Sequence, residues 1–230
     1  MTGFLSSVRP AGRWLQVQRL CLWVLACLLL AGCESAYYST MEKVGIHKRD
    51  ILTDRIEGAR DAQEAAKQQF RSALERFSTE LGFEGGDLEA KYEALRDEFE
   101  ASETRADAVR DRIAAVESVA DALFEEWEEE LTQYSSSSLR RQSANQLKTT
   151  QRRYQRMLRA MHTAEKRMTP VLDTFRDQVL YLKHNLNARA IASLRSEFGS
   201  LKQDINSLIR DMEASIEQAN QFIESLAETS

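Results

Sequence analysis

Residues 88–127, LEAKYEALRDEFEASETRADAVRDRIAAVESVADALFEEW, decide the fold of this chain. Apolar or small side chains recur there at alternating steps of four and three residues, with Ser102 as the polar exception. This spacing places them on one side of an α-helix, and its persistence predicts left-handed supercoiling against neighbouring helices. The stripe consists of Leu88, Tyr92, Leu95, Phe99, Ser102, Ala106, Val109, Ile113, Val116, Ala120, Leu123 and Trp127.

Similar stripes lie on both sides of this segment. A first helix is predicted from about Glu42 to Leu81, where the glycine-rich residues 82–86 end it. After the serines at 135–138, one stripe continues to Phe175 and another runs from Ile191 to Leu226. Because the chain has only 9 Gly and 2 Pro, it favours a few long helices over a fold with many turns.

The number of helices depends on where the second half of the chain breaks. Thr169-Pro170 is typical of an N-cap followed by Pro, or of a kink, whereas residues 184–187 (HNLN) could form a turn in which Asn187 caps a last helix. A break near Asn187 gives four helices of about 60 to 70 Å that cover one another from end to end. We therefore expect an all-α, elongated antiparallel bundle of long coiled-coil-like helices, with four helices favoured and three, the third long and kinked, as the alternative.

The N-terminal residues have a different composition from the rest of the chain. Arg9, Arg13 and Arg19 precede an apolar run at residues 20–30, and no acidic residue occurs before Glu34. A run of about 11 residues fits a signal peptide and is well short of the roughly 20 that a membrane-spanning helix needs. Residues 1–32 are therefore predicted to be a signal peptide.

The tetrapeptide Leu30-Ala31-Gly32-Cys33 directly follows this run. It resembles the lipobox of bacterial lipoproteins, which implies that the Cys33 thiol receives a lipid before the chain is cleaved. The resemblance also favours the periplasmic face of the outer membrane, because Glu34 is not the Asp that commonly retains such proteins in the inner membrane. The predicted organisation is a signal peptide at 1–32, a lipidated tether at 33–41 and a helical bundle domain at 42–230.

Charge is distributed unevenly along the chain. The formal net charge is −5, and it becomes about −8 once the three arginines of residues 1–32 are removed. Charge and compartment together disfavour a nucleic-acid partner. Residues 87–130 hold 16 acidic and 5 basic side chains, whereas residues 139–169 hold nine basic side chains and the single acid Glu165.

Two interpretations of the basic run at residues 139–169 remain open. It could be a site for anionic lipid or another polyanion, or it could pair with acids inside the bundle. A turn at the serines would bring residues 125–130 beside Arg140, Arg141 and Lys148. We favour charge pairing.

No pattern for catalysis or metal binding stands out. Di-metal bundles need Glu-x-x-His pairs, and the three histidines, His47, His162 and His184, form none. We interpret His162-x-x-Glu165 as a surface pair. Cys21 and Cys27 would leave with the signal peptide. We therefore predict no catalytic residue, no metal site and no cofactor, and we do not expect an enzyme.

Three segments carry a family resemblance: residues 41–52 (MEKVGIHKRDIL), 57–67 (EGARDAQEAAK) and 181–194 (YLKHNLNARAIASL). They resemble a proteobacterial lipoprotein family known only as domain of unknown function 2959. The resemblance implies a helical, envelope-bound protein and carries no activity. It draws attention to Lys43, His47, Lys48 and Arg49 as candidate partner-binding residues.

These observations predict a lipid-anchored periplasmic protein that acts as a non-enzymatic envelope scaffold or protein-interaction module. Its expected partners are the membrane, through the lipid, and another envelope protein, with homo-oligomerisation left open. One alternative is an envelope stress or assembly factor that binds a lipid or small ligand in the bundle. Another is a hydrolase with an unrecognised site.

Overall fold

The computed structural model describes residues 47–82, 87–185 and 187–228. Within these ranges the chain forms four long helices and no strand, which confirms the all-α prediction and shows that the three-helix alternative is wrong. None of these helices combines the length and the apolar character that a membrane span requires. The helices are α1 (Lys48–Gly82), α2 (Leu88–Leu131), α3 (Ser137–His184) and α4 (Ala188–Ala227).

The compact unit that contains the bundle is Arg49–Ser230, and His47 and Lys48 belong to a separate unit, Met1–Lys48. The predicted boundaries after residues 32 and 41 lie outside the described residues, as do Cys33 and Lys43.

Side-chain contacts arrange the four helices as a ring in chain order. Along the seam between α2 and α3, Trp127 meets Ser143 near one end and Arg110 meets Thr169 farther along, so the two helices are antiparallel. The other seams have the same sense, which makes an up-down-up-down bundle. The contacts that define those seams are Gln69–Glu98 and Lys91–Glu80 for α1 and α2, Arg167–Asp211 and Tyr154–Phe222 for α3 and α4, and Arg60–Asn220 and Arg71–Glu213 for α1 and α4.

The predicted stripe of α2 is buried in its middle and drifts out of the core near its end. Ile113 and Leu95 are at most 2% exposed, whereas Leu123 and Trp127 are half-buried. Val119 and Phe124 are buried near them instead. A straight helix drifts about 20° per heptad relative to a strict seven-residue repeat, which explains the change of face. The same drift occurs in α4, where Ser215 and Phe222 are buried and Ile216 and Ile223 are half-buried.

The break between α3 and α4 lies where the sequence predicts it. Asn187 is the N-cap of α4, and its side chain accepts a hydrogen bond from the Ala190 amide at 3.0 Å. α3, by contrast, continues through Pro170. Proline has no N–H, so Pro170 leaves the carbonyl of Lys166 without its helical hydrogen bond. Because Pro170 is exposed, this carbonyl lies on the outer side of the helix, where water can bind it.

The C-terminus of α1 is capped by side chains from its two neighbours. Lys91, which is buried, donates from Nζ to the carbonyl of Glu80 at 2.7 Å, and Arg195 donates from Nε to the carbonyl of Leu81 at 2.7 Å. The last turn of α1 contains no basic residue of its own. Cations near a helix C-terminus bind the free carbonyls and complement the helix dipole, so these contacts tie α2 and α4 to α1.

One position in the core of α1 is polar. Gln63 is fully buried, and neither its Oε1 nor its Nε2 has a hydrogen-bond partner among the described residues. In the sequence, Gln63 is the polar residue that interrupts the apolar stripe of α1, and the structure places it in the core. An unpaired buried amide is destabilising because it has lost its hydrogen bonds to water.

We therefore expect Gln63→Met to raise the free energy of unfolding by about 1 to 3 kcal/mol, because the thioether has nearly the same shape and no unmet hydrogen bonds. Urea unfolding would measure the change. Gln69→Met is the matched control: Gln69 donates to Glu98 Oε2 at 2.6 Å, so its replacement should not stabilise the protein. An equal or lower stability of Gln63→Met would contradict the burial of an unpaired amide.

Candidate functional site

The residues that the sequence singled out near the start of the bundle do not form one described surface. Lys43 and Cys33 lie outside the described residues. His47 is exposed and Lys48 is half-buried. The Arg49 guanidinium lies over the Trp127 ring, 5.8 Å from its centroid, in cation–π geometry. Arg49 therefore contributes to packing between α1 and α2.

Six cations form a row along the outer side of α3. They recur at steps of three, four and seven residues, which places them on one side of the helix, and every one is exposed. The buried residues of α3, such as Tyr154, Met157 and Met161, lie on the opposite side. We call this row the basic face of α3; it consists of Arg141, Lys148, Arg152, Arg156, Arg159 and Lys166.

The cations of the basic face have no ion-pair partners in the described part of the chain. Of the nine basic residues between 139 and 169, only Arg167 forms an ion pair there, with Asp211 of α4. Glu128 accepts a hydrogen bond from Gln151 at 3.1 Å, and no described ion pair joins residues 125–130 to Arg140, Arg141 or Lys148. The prediction that this basic run pairs with acids inside the bundle is therefore wrong for eight of the nine residues.

The neighbouring outer side of α2 has the opposite sign. Its exposed residues include Glu93, Asp97, Glu100, Asp107 and Asp111. Two cations of α2 pair with these acids: Arg96 with Asp97 at 2.8 Å and Arg110 with Asp107. The bundle therefore presents an acidic side next to a basic side, and on the basic side the charges remain available to a partner.

A groove between α3 and α4 borders the basic face. It has a volume of about 270 Å³, and its lining mixes Arg153 and Arg156 with Glu224 and Glu228. The acids across the groove offset the arginines, so the groove itself is not a specific anion site. Of the basic face, only Arg156 lines this groove; its other five cations lie along α3 outside it.

His162 lies in the seam between α2 and α3, inward of the basic face. Its Nε2 is 2.9 Å from Glu117 Oε1 and its Nδ1 is 3.2 Å from Glu165 Oε2. Arg110 Nε lies 3.7 Å from Glu165 Oε1. The sequence predicted the pair with Glu165 but missed Glu117, which the antiparallel register of the two helices brings across. The carboxylates contact opposite ring nitrogens, so the three groups do not converge on one point where a metal ion could bind.

Both carboxylates affect the pKa of His162. Partial burial alone would lower it, but the hydrogen bonds to Glu117 and Glu165, together with their negative charges, outweigh burial and raise the pKa above its usual 6.5. The protonated imidazole therefore ties α2 to α3. Within the described ranges, His, Cys, Asp and Glu side chains do not gather in threes as metal ligands.

The raised pKa of His162 makes stability depend on pH in a defined direction. Its stabilising contribution is complete below the ordinary pKa and is lost as pH rises through the higher folded-state pKa. We expect His162→Gln to cost more unfolding free energy at about pH 5.5 than at about pH 8.5, measured by urea unfolding. His184→Gln, at an exposed position, is the control for loss of an imidazole. A pH-independent cost would show that protonation of His162 does not link the helices.

The basic face leads to a third prediction about stability. Arg152 lies four residues from both Lys148 and Arg156, and like charges at this spacing destabilise a helix. Arg152→Gln should therefore raise the free energy of unfolding by about 0.5 kcal/mol at low salt. Arg167→Gln, which removes the ion pair with Asp211, should not raise it. A loss of stability in Arg152→Gln would show that Arg152 has a structural partner.

Comparison with known proteins identifies a family for this chain. No curated protein and no solved structure matches the chain. One family matches residues 37–226, which include the first three helices, the basic face and all but the last residue of α4; its description is a protein of unknown function, DUF2959. Because the match covers most of the chain, this protein belongs to the DUF2959 family of proteins of unknown function.

Proposed function

We propose that this protein is a lipid-anchored, non-enzymatic interaction module of the bacterial envelope, attached at Cys33, which presents the outer faces of its helical bundle to a partner surface. The signal-like residues 1–32 and the lipobox resemblance support the anchor. The observation that carries the binding role is the basic face of α3. Its six exposed cations repel one another and form no described ion pair that would stabilise the fold. Charged residues of this kind are expected where a protein binds a partner.

The two alternative functions fit the described residues less well. A bundle that carries a ligand needs space among its helices, but the core is filled by large side chains, with Phe70, Phe77 and Phe175 at most 1% exposed. A hydrolase that activates its nucleophile with histidine needs a ring nitrogen that is free to contact that nucleophile. Both ring nitrogens of His162 contact carboxylates instead.

The residues near the predicted tether have different parts in this proposal. Lys43, His47 and Lys48 remain candidates for orienting a partner close to the anchor. Arg49 acts through its packing on Trp127. We expect its replacement to loosen the contact between α1 and α2 rather than to weaken binding directly.

The anchor is tested by replacing the acceptor of the lipid. Cys33→Ser should accumulate as uncleaved precursor, because the lipoprotein peptidase acts only after the thiol is modified. Any phenotype of a deletion strain should then reappear, because stable attachment that concentrates the protein at its partner requires two or more acyl chains. Immunoblotting of envelope fractions would measure both forms. Release of a cleaved, soluble and fully functional Cys33→Ser protein would overturn the proposal.

A further inference from the structure

The basic face of α3 is a line of exposed cations that can contact a flat surface along its whole length. Its residues extend from Arg141 to Lys166, which corresponds to about 38 Å of helix at 1.5 Å per residue. The face follows the convex ridge of one helix, so the cations point outward along a line and do not converge on a single small anion. A ligand that satisfies all six must itself be extended and negatively charged.

We propose that the basic face of α3 docks on the surface of an anionic phospholipid bilayer, with its arginines and lysines binding the lipid phosphates. The inference deepens the proposed function by naming the surface to which the bundle binds. Juxtamembrane Lys and Arg residues contribute about 1 kcal/mol each near an anionic leaflet, so six in one line are sufficient for binding without any inserted apolar residue.

The side chains between the cations favour a lipid surface over a protein. On the outer side of α3 they include four exposed, polar and uncharged side chains, Asn145, Thr149, Gln155 and Thr163. A stable protein interface needs an apolar or aromatic centre and is depleted in lysine. Exposed ion pairs with the acidic side of a second copy would contribute little each.

The acidic side of α2 does not prevent docking. Neighbouring helices in a bundle are about 8 to 10 Å apart, which is close to the Debye length of about 8 Å at physiological ionic strength. With α3 against the bilayer, the outward acids of α2, such as Asp107 and Asp111, point to another side of the bundle. Their repulsion is therefore largely screened, whereas the cations of α3 are in direct contact with the phosphates.

Two lysines of the basic face report on docking without any added label. The full chain is incorporated into phosphatidylcholine vesicles with or without phosphatidylglycerol, and the acylation rate of each lysine by an amine-reactive reagent is followed by mass spectrometry. We expect Lys148 and Lys166 to react several-fold more slowly when phosphatidylglycerol is present. Lys202, exposed on α4, should react equally in both, and high salt should restore the rates of Lys148 and Lys166.

A matched pair of charge variants makes the test specific. Arg152→Gln, Arg156→Gln and Arg159→Gln together leave both reporter lysines in place and should abolish their protection. Arg105→Gln, Arg112→Gln and Arg210→Gln remove the same charge from exposed positions on other sides and should leave it intact. Equal loss of protection in both triple variants would show dependence on net charge and would overturn the assignment to this face.

Two further results would also overturn the proposal. One is that Lys148 and Lys166 react at the same rate in all vesicles. The other is protection that is independent of phosphatidylglycerol and grows with protein density, which would identify a second copy as the occupant. The vesicle experiment does not depend on processing at Cys33 in cells, so failure of the lipid anchor and failure of the docking face are distinguishable.

Discussion

The structure depends on the burial of long apolar stripes. Each of the four helices has such a stripe along its length, and burying apolar surface is worth about 25 cal/mol per Å², so an uncovered stripe would be costly. A helix can be covered from end to end only by partners of similar length. The described helices, of 35, 44, 48 and 40 residues, meet this condition by folding back on one another in chain order. The core is thereby closed, and the outer faces are left for binding.

Polar contacts then act at the ends and seams, where burial is incomplete. Lys91 and Arg195 cap the free carbonyls of α1, and the pair of Phe77 and Phe175, with centroids 5.7 Å apart, joins the diagonal helices nearby. His162 ties α2 to α3 in the middle of the bundle. The buried polar atoms of Gln63 and Ser215 lack partners among the described residues. Polar pairing is thus concentrated at the periphery, and the centre is held by packing.

Much of the fold could be predicted from the sequence because it depends on periodicity and on local turn chemistry. The stripes, the glycine-rich end of α1 and the cap at Asn187 are all features of short segments. The drift of Leu123 and Trp127 out of the core could not be predicted from a strict heptad, because a straight helix does not follow one over more than 40 residues.

The candidate site could be predicted only in part. The basic composition of residues 139–169 is evident from the sequence, but whether those cations pair depends on distances and side-chain directions between helices. Composition favoured pairing with residues 125–130, since the hairpin brings opposite charges together. In the structure the basic face of α3 instead lies on the side of the helix opposite its buried residues, and its cations form no ion pair with the described acids of α2. The Glu117 contact of His162 was missed for the same reason, since it follows from an interhelical register that no local pattern encodes.

The separation of charge between faces also limits what net charge can say about a partner. The chain carries −5 overall, a value that by itself predicts repulsion from anionic surfaces. At physiological ionic strength, however, a charge acts over about 8 Å, which is less than the width of a bundle whose helix axes are 8 to 10 Å apart. A surface bound to one face of the bundle therefore interacts mainly with the charges of that face and only weakly with those of the other faces. In such a helical bundle, the sign of the charge on each face determines the class of partner that the face binds. The net charge of the chain governs solubility and long-range approach.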